Sequence, residues 1–376
     1  MPSWYPGKLD DFNGDFNERL VQSLKDKRFQ VVLYINTIRG NKTTELEIIE
    51  EGDLIVYKYY YKHDKNVFLH SIKLLFIYRK FFKIIFKKYG LPKIVHTYVF
   101  FPAGIGVLYL KLKYNLKHFL TEHYTIFSKS RSKNIYNDSS LLKLIYHKIL
   151  NSFQVIICVS EDLKKSILNW NKNADFHVLP NVVNTDYFNF RSNNLKESKS
   201  FRFIHVSAMG YTKNVNEILI AFKNVINNDS PLILDLVGPA TEKIISQIKT
   251  DKILSKHVNI LGELNYKEVA LAMKRSDAFV LFSLYENMPC VILEALCCGL
   301  PVISSNVGGV KEVLNHSNSI IVESRNLTQL ENAFNDVYSN YEFYNRSIIS
   351  ENASNAFSYH QISNDIDVIY SNYFNK

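Results

Sequence analysis

Residues 283–301 read SLYENMPCVILEALCCGLP and lie between two short apolar runs, DAFVLFS before and PVISS after. Apolar runs of this length, bounded by turn residues, predict buried strands of a parallel sheet. Pro289 suits the first position of a helix, Gly299 suits the residue past its end, and Pro301 cannot continue it, so a helix of roughly three turns is expected between them. Strand, loop, helix and strand in this order place a ligand outside the carboxyl ends of the strands. Two carboxylates then flank one helix start, Glu286 in the loop and Glu294 in the helix. The amides near Asn287, Met288, Pro289 and Cys290, proline itself contributing none, carry partial positive charge suited to phosphate. A carboxylate at Glu294 can accept two hydrogen bonds from a cis-diol such as a ribose.

A second segment, FIHVSAMGYTKNVNEILIAF from Phe203 to Phe222, reads as an apolar strand, a loop holding Ser207 and Lys213, and an amphipathic helix. Lys213 can neutralise phosphate as a point charge; its alternative reading is a solvated loop lysine. With 376 residues, 47% of them hydrophobic, the chain has material for two domains with real cores. Its four cysteines, Cys158, Cys290, Cys297 and Cys298, lack the paired spacing of a metal site and fall in apolar contexts. They read as small core residues in a reducing compartment, and no metal is expected. The longest mostly apolar run, Tyr98 to Leu110, contains Pro102 and two glycines and falls short of the roughly 20 residues of a membrane helix. The opening MPSWYPGKLDD has neither the basic head nor the apolar stretch expected of a signal peptide.

Charge is uneven. Residues 1–190 hold 28 Lys and Arg against 17 Asp and Glu, and the remainder 17 against 19. The stretch 63–150 alone carries 16 positive and 3 negative side chains. Within it Lys73, Arg79, Lys80, Lys83, Lys87 and Lys88 alternate with Leu74, Leu75, Phe76, Phe81, Phe82, Ile84, Ile85 and Phe86, as on an amphipathic helix. Such a helix at residues 73–88 either lies on an anionic membrane surface or packs its apolar side on a sheet. A pI near 9 also raises nucleic acid as a partner, but no RNP-like strand, zinc spacing or helix-turn-helix pattern accompanies the charge, so none is expected. The one clearly polar linker is Phe190–Ser200.

Together these motifs resemble those of retaining glycosyltransferases of family 4. The donor signature is matched by Ser283, Glu286, Glu294, Ala295, Gly299, Pro301 and Val302, and VLPNVVNTDYF supplies Pro180, Asn181 and Asp186 at the places expected after the interdomain connection. The resemblance implies an α/β GT-B fold of two doubly wound, Rossmann-like parallel-sheet domains facing a cleft. It implies an acceptor-binding domain at 1–189, a donor-binding domain at 190–355, and a last helix at 356–376 returning to the first domain, where Ile362, Ile366, Ile369 and Tyr370 stand at helical spacing. The activity implied is transfer of a sugar from a nucleotide sugar to a hydroxyl of a glycan or lipid-linked acceptor, with retention and without a cofactor. The setting implied is bacterial capsule, polysaccharide or lipopolysaccharide assembly, in the cytoplasm or on the inner face of its membrane.

By the same resemblance, Glu286 orients the donor sugar, Glu294 holds the ribose, and Lys213 meets the diphosphate. Ser207, Asn214, Gly238, Ser283, Asn287, Met288 and Pro289 complete the donor side. Gly14 precedes a helix whose first turn approaches the phosphates, and His123, with His96 beside it, serves the acceptor side. Two departures stand out: Ala208 and Met209 occupy the region of an expected Arg, and the family's complete first strand ahead of Trp4-Tyr5-Pro6 is replaced by Met1, Pro2 and Ser3. A truncated or non-catalytic homologue that binds nucleotide sugar without turnover, or a sugar-nucleotide epimerase or phosphorylase of the same fold, therefore stays open.

Overall fold

The structure, a computed structural model, describes residues 1–38, 44–62, 67–128, 134–190 and 200–374, so the expected linker lies, over 191–199, outside the described residues. The chain divides into two compact units, Met1–Pro180 with Ile362–Lys376, and Asn181–Gln361.

In the first unit, strands β1 (Gln30–Ile38), β2 (Glu45–Glu51) and β3 (Leu54–Lys62) form one sheet in the order β1-β3-β2. β1 runs parallel to β3, whereas β2 and β3 are antiparallel, a departure from the all-parallel sheet expected of this domain. The cause is local. Only Gly52 and Asp53 separate β2 from β3, too few residues for a parallel crossover, and Gly52 takes the positive φ of 61° that a tight hairpin needs. β2 is an edge strand rich in glutamate, and its charge discourages pairing with another chain.

Strands β4 (Ile94–Tyr98), β5 (Lys117–Glu122), β6 (Val155–Cys158) and β7 (Asp175–Val178) form a parallel sheet in sequence order. The basic helix Val67–Tyr89 lays Leu74, Tyr78, Phe81, Phe82 and Ile85 into a core shared with Leu33, Ile35, Tyr57 and Tyr61 of β1 and β3. Each such side chain contributes about 1.5–3 kcal/mol on full burial, ample to fix the helix in place. The last helix is Tyr359–Phe374, separated from Arg346–Phe357 by Ser358, whose hydroxyl accepts from the Gln361 amide. It therefore starts three residues later than expected. Its Ile362, Ile366, Ile369 and Tyr370 are buried, and Asp367 pairs with Arg28 of the same unit at 2.6 Å.

The second unit holds β8 (Phe201–Val206), β9 (Leu232–Val237), β10 (Val258–Gly262), β11 (Ala278–Leu281), β12 (Val302–Ser305) and β13 (Ser319–Val322). Every pairing in it is parallel, in the order β10-β9-β8-β11-β12-β13. Chain direction along the sheet reverses between β8 and β11, and this is the point at which open α/β sheets leave a crevice at the strands' carboxyl ends. β8, β9, β11 and β12 are almost wholly buried, which explains their continuous apolar spelling.

Candidate donor site at the sheet switch point

The loops that follow β8 and β11 meet at that crevice. Leu284 N–H donates to the Thr212 carbonyl at 2.8 Å, tying one loop to the other. Lys213, in the short 3-10 turn Tyr211–Lys213, extends its ammonium to Glu286 Oε1 at 2.5 Å, and the Ser283 hydroxyl donates to the same oxygen at 2.7 Å. Three residues expected at the donor site are thus bonded to one another across 73 positions of sequence. A carboxylate has about four lone-pair sites, so these two bonds leave Glu286 capacity to accept from sugar hydroxyls.

The Glu286 loop is clamped from several sides. Ser305 Oγ donates to the Ser283 carbonyl at 2.6 Å, Asn181 Nδ2 to the Met288 carbonyl at 2.8 Å, and Gly309 N–H to the Asn287 carbonyl at 2.8 Å. Gly308, at φ 54°, comes so close that a Cβ there would lie 2.0 Å from the Glu286 carbonyl oxygen. Asn287 and Met288 are buried and take part through their backbones.

The helix that follows is Cys290–Cys297, with Pro289 as its N-cap at ψ 120° rather than its first residue. It is accordingly nearer two turns than three. Gly299 closes it in the left-handed conformation at φ 72°, as expected, and a side chain there would strike the Arg346 carbonyl at 2.4 Å. Glu294 lies in this helix and is only 3% exposed. Cys297 and Cys298 are buried behind it, and burial pushes the Cys298 thiol up to about 12.

The turn after β8 is rigid for a reason the sequence did not disclose. His205 is fully buried, its Nδ1 donating to the Val280 carbonyl at 2.9 Å, which leaves Nε2 to accept from the Ser207 hydroxyl at 2.7 Å. Burial pushes its pKa down to about 4, so the ring is neutral. Ser207 Oγ in turn accepts from the Met209 amide at 2.9 Å, and the Met209 side chain is buried. Ser207 therefore builds the turn. Gly238, at the end of β9, approaches it so closely that a Cβ would lie 1.8 Å from the Ser207 carbonyl. Asn214 adopts the left-handed conformation (φ 54°) at the start of helix Val215–Val225, and its buried Nδ2 has no partner.

The remaining expected residues belong to the first unit. Gly14, at φ 73°, caps helix Asp15–Ser23 where a Cβ would meet the Trp4 carbonyl at 2.4 Å; Asp15 and Glu18 already bring negative charge to its first turn. His96 is buried with both nitrogens engaged, Nδ1 with Tyr370 Oη at 2.5 Å and Nε2 with Thr121 Oγ1 at 2.8 Å, and burial holds its pKa well below the ordinary value. Its ring has no nitrogen left over for an acceptor. His123 follows β5 directly, and its ring packs on Phe16 with centroids 4.4 Å apart. Sequence reasoning missed its neighbour Glu122. That buried carboxylate accepts from the amides of Phe100 at 2.9 Å, His123 at 2.9 Å and Tyr124 at 2.8 Å, and so sets the loop that presents His123. Burial pushes its pKa up to about 7 against those three bonds.

This fold and this crevice define a class, and the comparisons agree with it. The model for Glycosyl transferases group 1 matches residues 186–355, and that for Glycosyltransferase Family 4 matches residues 16–187, so the two run almost end to end. Each half of the chain thus matches a glycosyltransferase model, and between them the two models span residues 16–355. It is 26% identical to an uncharacterized glycosyltransferase of Methanocaldococcus jannaschii over 89% of this chain and 86% of that one. It is also 26% identical to the alpha-monoglucosyldiacylglycerol synthase of Streptococcus pneumoniae, over 61% of this chain and 55% of that enzyme. Among solved structures, Anabaena HepE in complex with UDP superposes with a TM-score of 0.73 at 15% identity, covering 96% of each chain, which shows a shared GT-B fold.

Proposed function

We propose that this protein transfers a sugar, with retention of anomeric configuration, from a nucleotide sugar to a hydroxyl of a glycan or lipid-linked acceptor. The observation that carries this reading is the Lys213–Glu286–Ser283 cluster at the switch point of the second sheet. Lys213 and the amides at the start of helix Cys290–Cys297 neutralise the diphosphate as its bond to the sugar carbon breaks, where charge develops. The acceptor oxygen bonds to that carbon on the face the diphosphate leaves, and its proton passes to a departing phosphate oxygen. Glu286 orients the sugar and Glu294 the ribose, without a covalent nucleophile or a resident cofactor. His123, held by Glu122 through the backbone, serves the acceptor hydroxyl. The UDP bound to HepE favours a uridine nucleotide, and the diacylglycerol in the pneumococcal relative's name favours a lipid-linked acceptor.

Membrane contact belongs to the same reading. On helix Val67–Tyr89, Phe76 is 60% and Ile84 42% exposed, beside exposed Arg79, Lys80, Lys83 and Lys87. Apolar anchors among cations suit an anionic cytoplasmic leaflet, as cell-surface polysaccharide or glycolipid synthesis requires. Among the described residues no helix is long and apolar enough to cross a membrane. Anomeric proton couplings in the product made from an α-linked donor test the chemistry: an α-product supports the proposal, and a β-product contradicts retention. Interconversion of the free nucleotide sugar without acceptor would assign an epimerase instead.

A further inference from the structure

Four aromatic rings meet at the carboxyl ends of the first unit's parallel strands, where open α/β sheets take ligands. Pro2 bridges Tyr98, the last residue of β4, and the Ser3 amide donates to the Tyr98 carbonyl at 2.8 Å, so Trp4 comes just past that strand's end. His123 and Tyr124 directly follow β5, and Phe16 sits in the first turn of helix Asp15–Ser23. The ring centroids of Trp4 and Tyr124 lie 4.7 Å apart at an interplanar angle of 76°, those of Trp4 and Phe16 6.4 Å apart at 84°, and those of Phe16 and His123 4.4 Å apart at 40°.

These four residues are only half-buried, whereas aromatic residues that hold the unit together, such as Tyr5, Phe100, Phe119 and Phe127, are at most 1% exposed. Their backbones are nevertheless fixed. The Trp4 carbonyl accepts from buried Asn17 Nδ2 at 2.8 Å, the Ser3 hydroxyl donates to the Val99 carbonyl at 2.6 Å and accepts from the Ala103 amide at 2.9 Å, and Glu122 holds the amides of His123 and Tyr124. Among the described residues the Trp4 indole N–H has no hydrogen-bond partner. A rigid, half-exposed indole with a donor to spare suits a pyranose ring: the sugar's C–H groups carry partial positive charge against the negative face of an aromatic ring, and its rim of hydroxyls can meet the N–H. Pre-set rings also lose little freedom on binding. A quaternary ammonium would instead need rings standing apart around it, and Trp4 and Tyr124 are in contact.

We propose that Trp4 is a specificity-determining residue: backed by Tyr124 and Phe16, it stacks on a pyranose ring, so the acceptor hydroxyl belongs to a sugar, free or lipid-linked, and not to a glycerol backbone. This inference rests on the glycosyltransferase reading above and on His123 serving that hydroxyl. Stacking reads the C–H face of the ring, so the platform tolerates changes in hydroxyl configuration and leaves the choice among sugars to hydrogen bonds.

The chain has two tryptophans, so Trp170→Phe leaves Trp4 alone, and its fluorescence reports the platform whether or not the protein turns over. Octyl glucoside, octyl galactoside and octyl N-acetylglucosaminide, below micelle-forming concentrations, are expected to shift this emission saturably. Octyl glyceryl ether and octyltrimethylammonium, with the same tail and no ring, should leave it unchanged. With a pyranoside acceptor and turnover read as nucleotide release, Trp4→Ala should raise the acceptor KM about 10-fold while kcat and the donor KM stay within about twofold, and Trp4→Phe should restore most of the loss. Equal shifts with the ringless probes, or no shift with any pyranoside, would overturn the proposal. So would a Trp4→Ala variant that loses kcat and affinity for both substrates together, the mark of a structural role. A saturable pyranoside shift in a protein that never releases nucleotide supports the platform and counts against the transferase reading.

Discussion

Glu286 has its position determined by neighbours that are far apart in sequence. Lys213 and Ser283 bond one oxygen, and Gly308 presses on its backbone. Replacing Lys213 with Ala removes the cation proposed to face the leaving diphosphate and is expected to lower kcat by about 10²-fold or more, with the nucleotide affinity also reduced, measured as product formed at saturating acceptor. Gly308→Ala forces a side chain into a left-handed residue 2.0 Å from a carbonyl, so it should cost about 1–3 kcal/mol in denaturant unfolding. Gly210→Ala, with nothing within 4 Å of the new methyl, is the matched control and should be nearly neutral. Glu122 supplies a pH signature. Its folded pKa of about 7 lies above the ordinary carboxylate value, so between roughly pH 4.5 and 7 the native state binds more protons than the unfolded chain, and the stability of the wild type relative to Glu122→Gln should fall as pH rises through that window. A flat difference across those pH values would show that the three amide bonds offset the burial. Lys213 and Glu286 were legible as charged residues in loops that follow apolar runs, and Ser283 through the resemblance to the family's donor motif. His205 and Glu122 were not, because a buried polar side chain in an apolar strand shows its partners only after folding.

Among elements, the segments around β8, β11 and β12 of the second unit were read almost as they stand, since continuous apolar runs bounded by glycine and proline have few alternative structures. The helix after Glu286 came out shorter than expected because Pro289 keeps an extended ψ and caps rather than begins it. The β2–β3 hairpin escaped notice: β2 alternates glutamate with exposed Leu46 and Ile48, a pattern that only its pairing partner makes into a strand. Helix Val67–Tyr89 fulfils one of its two readings in the structure, packing its apolar side on the first sheet, and its outer face carries the proposed membrane contact. Phe76→Ser with Lys80→Glu and Lys83→Glu should abolish sedimentation with vesicles containing anionic phosphatidylglycerol while leaving transfer to a soluble acceptor unchanged. Equal sedimentation of both proteins would remove the membrane from the account.

For the whole molecule, the central claim is that the switch point of the second sheet is a nucleotide-sugar site whose ribose partner is Glu294. Two α/β units were foreseen from length and from the resemblance to the GT-B glycosyltransferases, whereas the antiparallel β2–β3 pair and the division of the first unit's strands into two sheets became visible only in the structure. The most direct measurement is thermal unfolding of the protein and of Glu294→Ala with UDP, GDP and ADP sugars. A ligand at 100 times its Kd stabilises the native state by about 2.7 kcal/mol. The account predicts a Tm rise of several degrees with a uridine nucleotide sugar, lost in Glu294→Ala. A folded protein whose Tm moves with none of the three, or a variant whose shift equals that of the wild type, would contradict it.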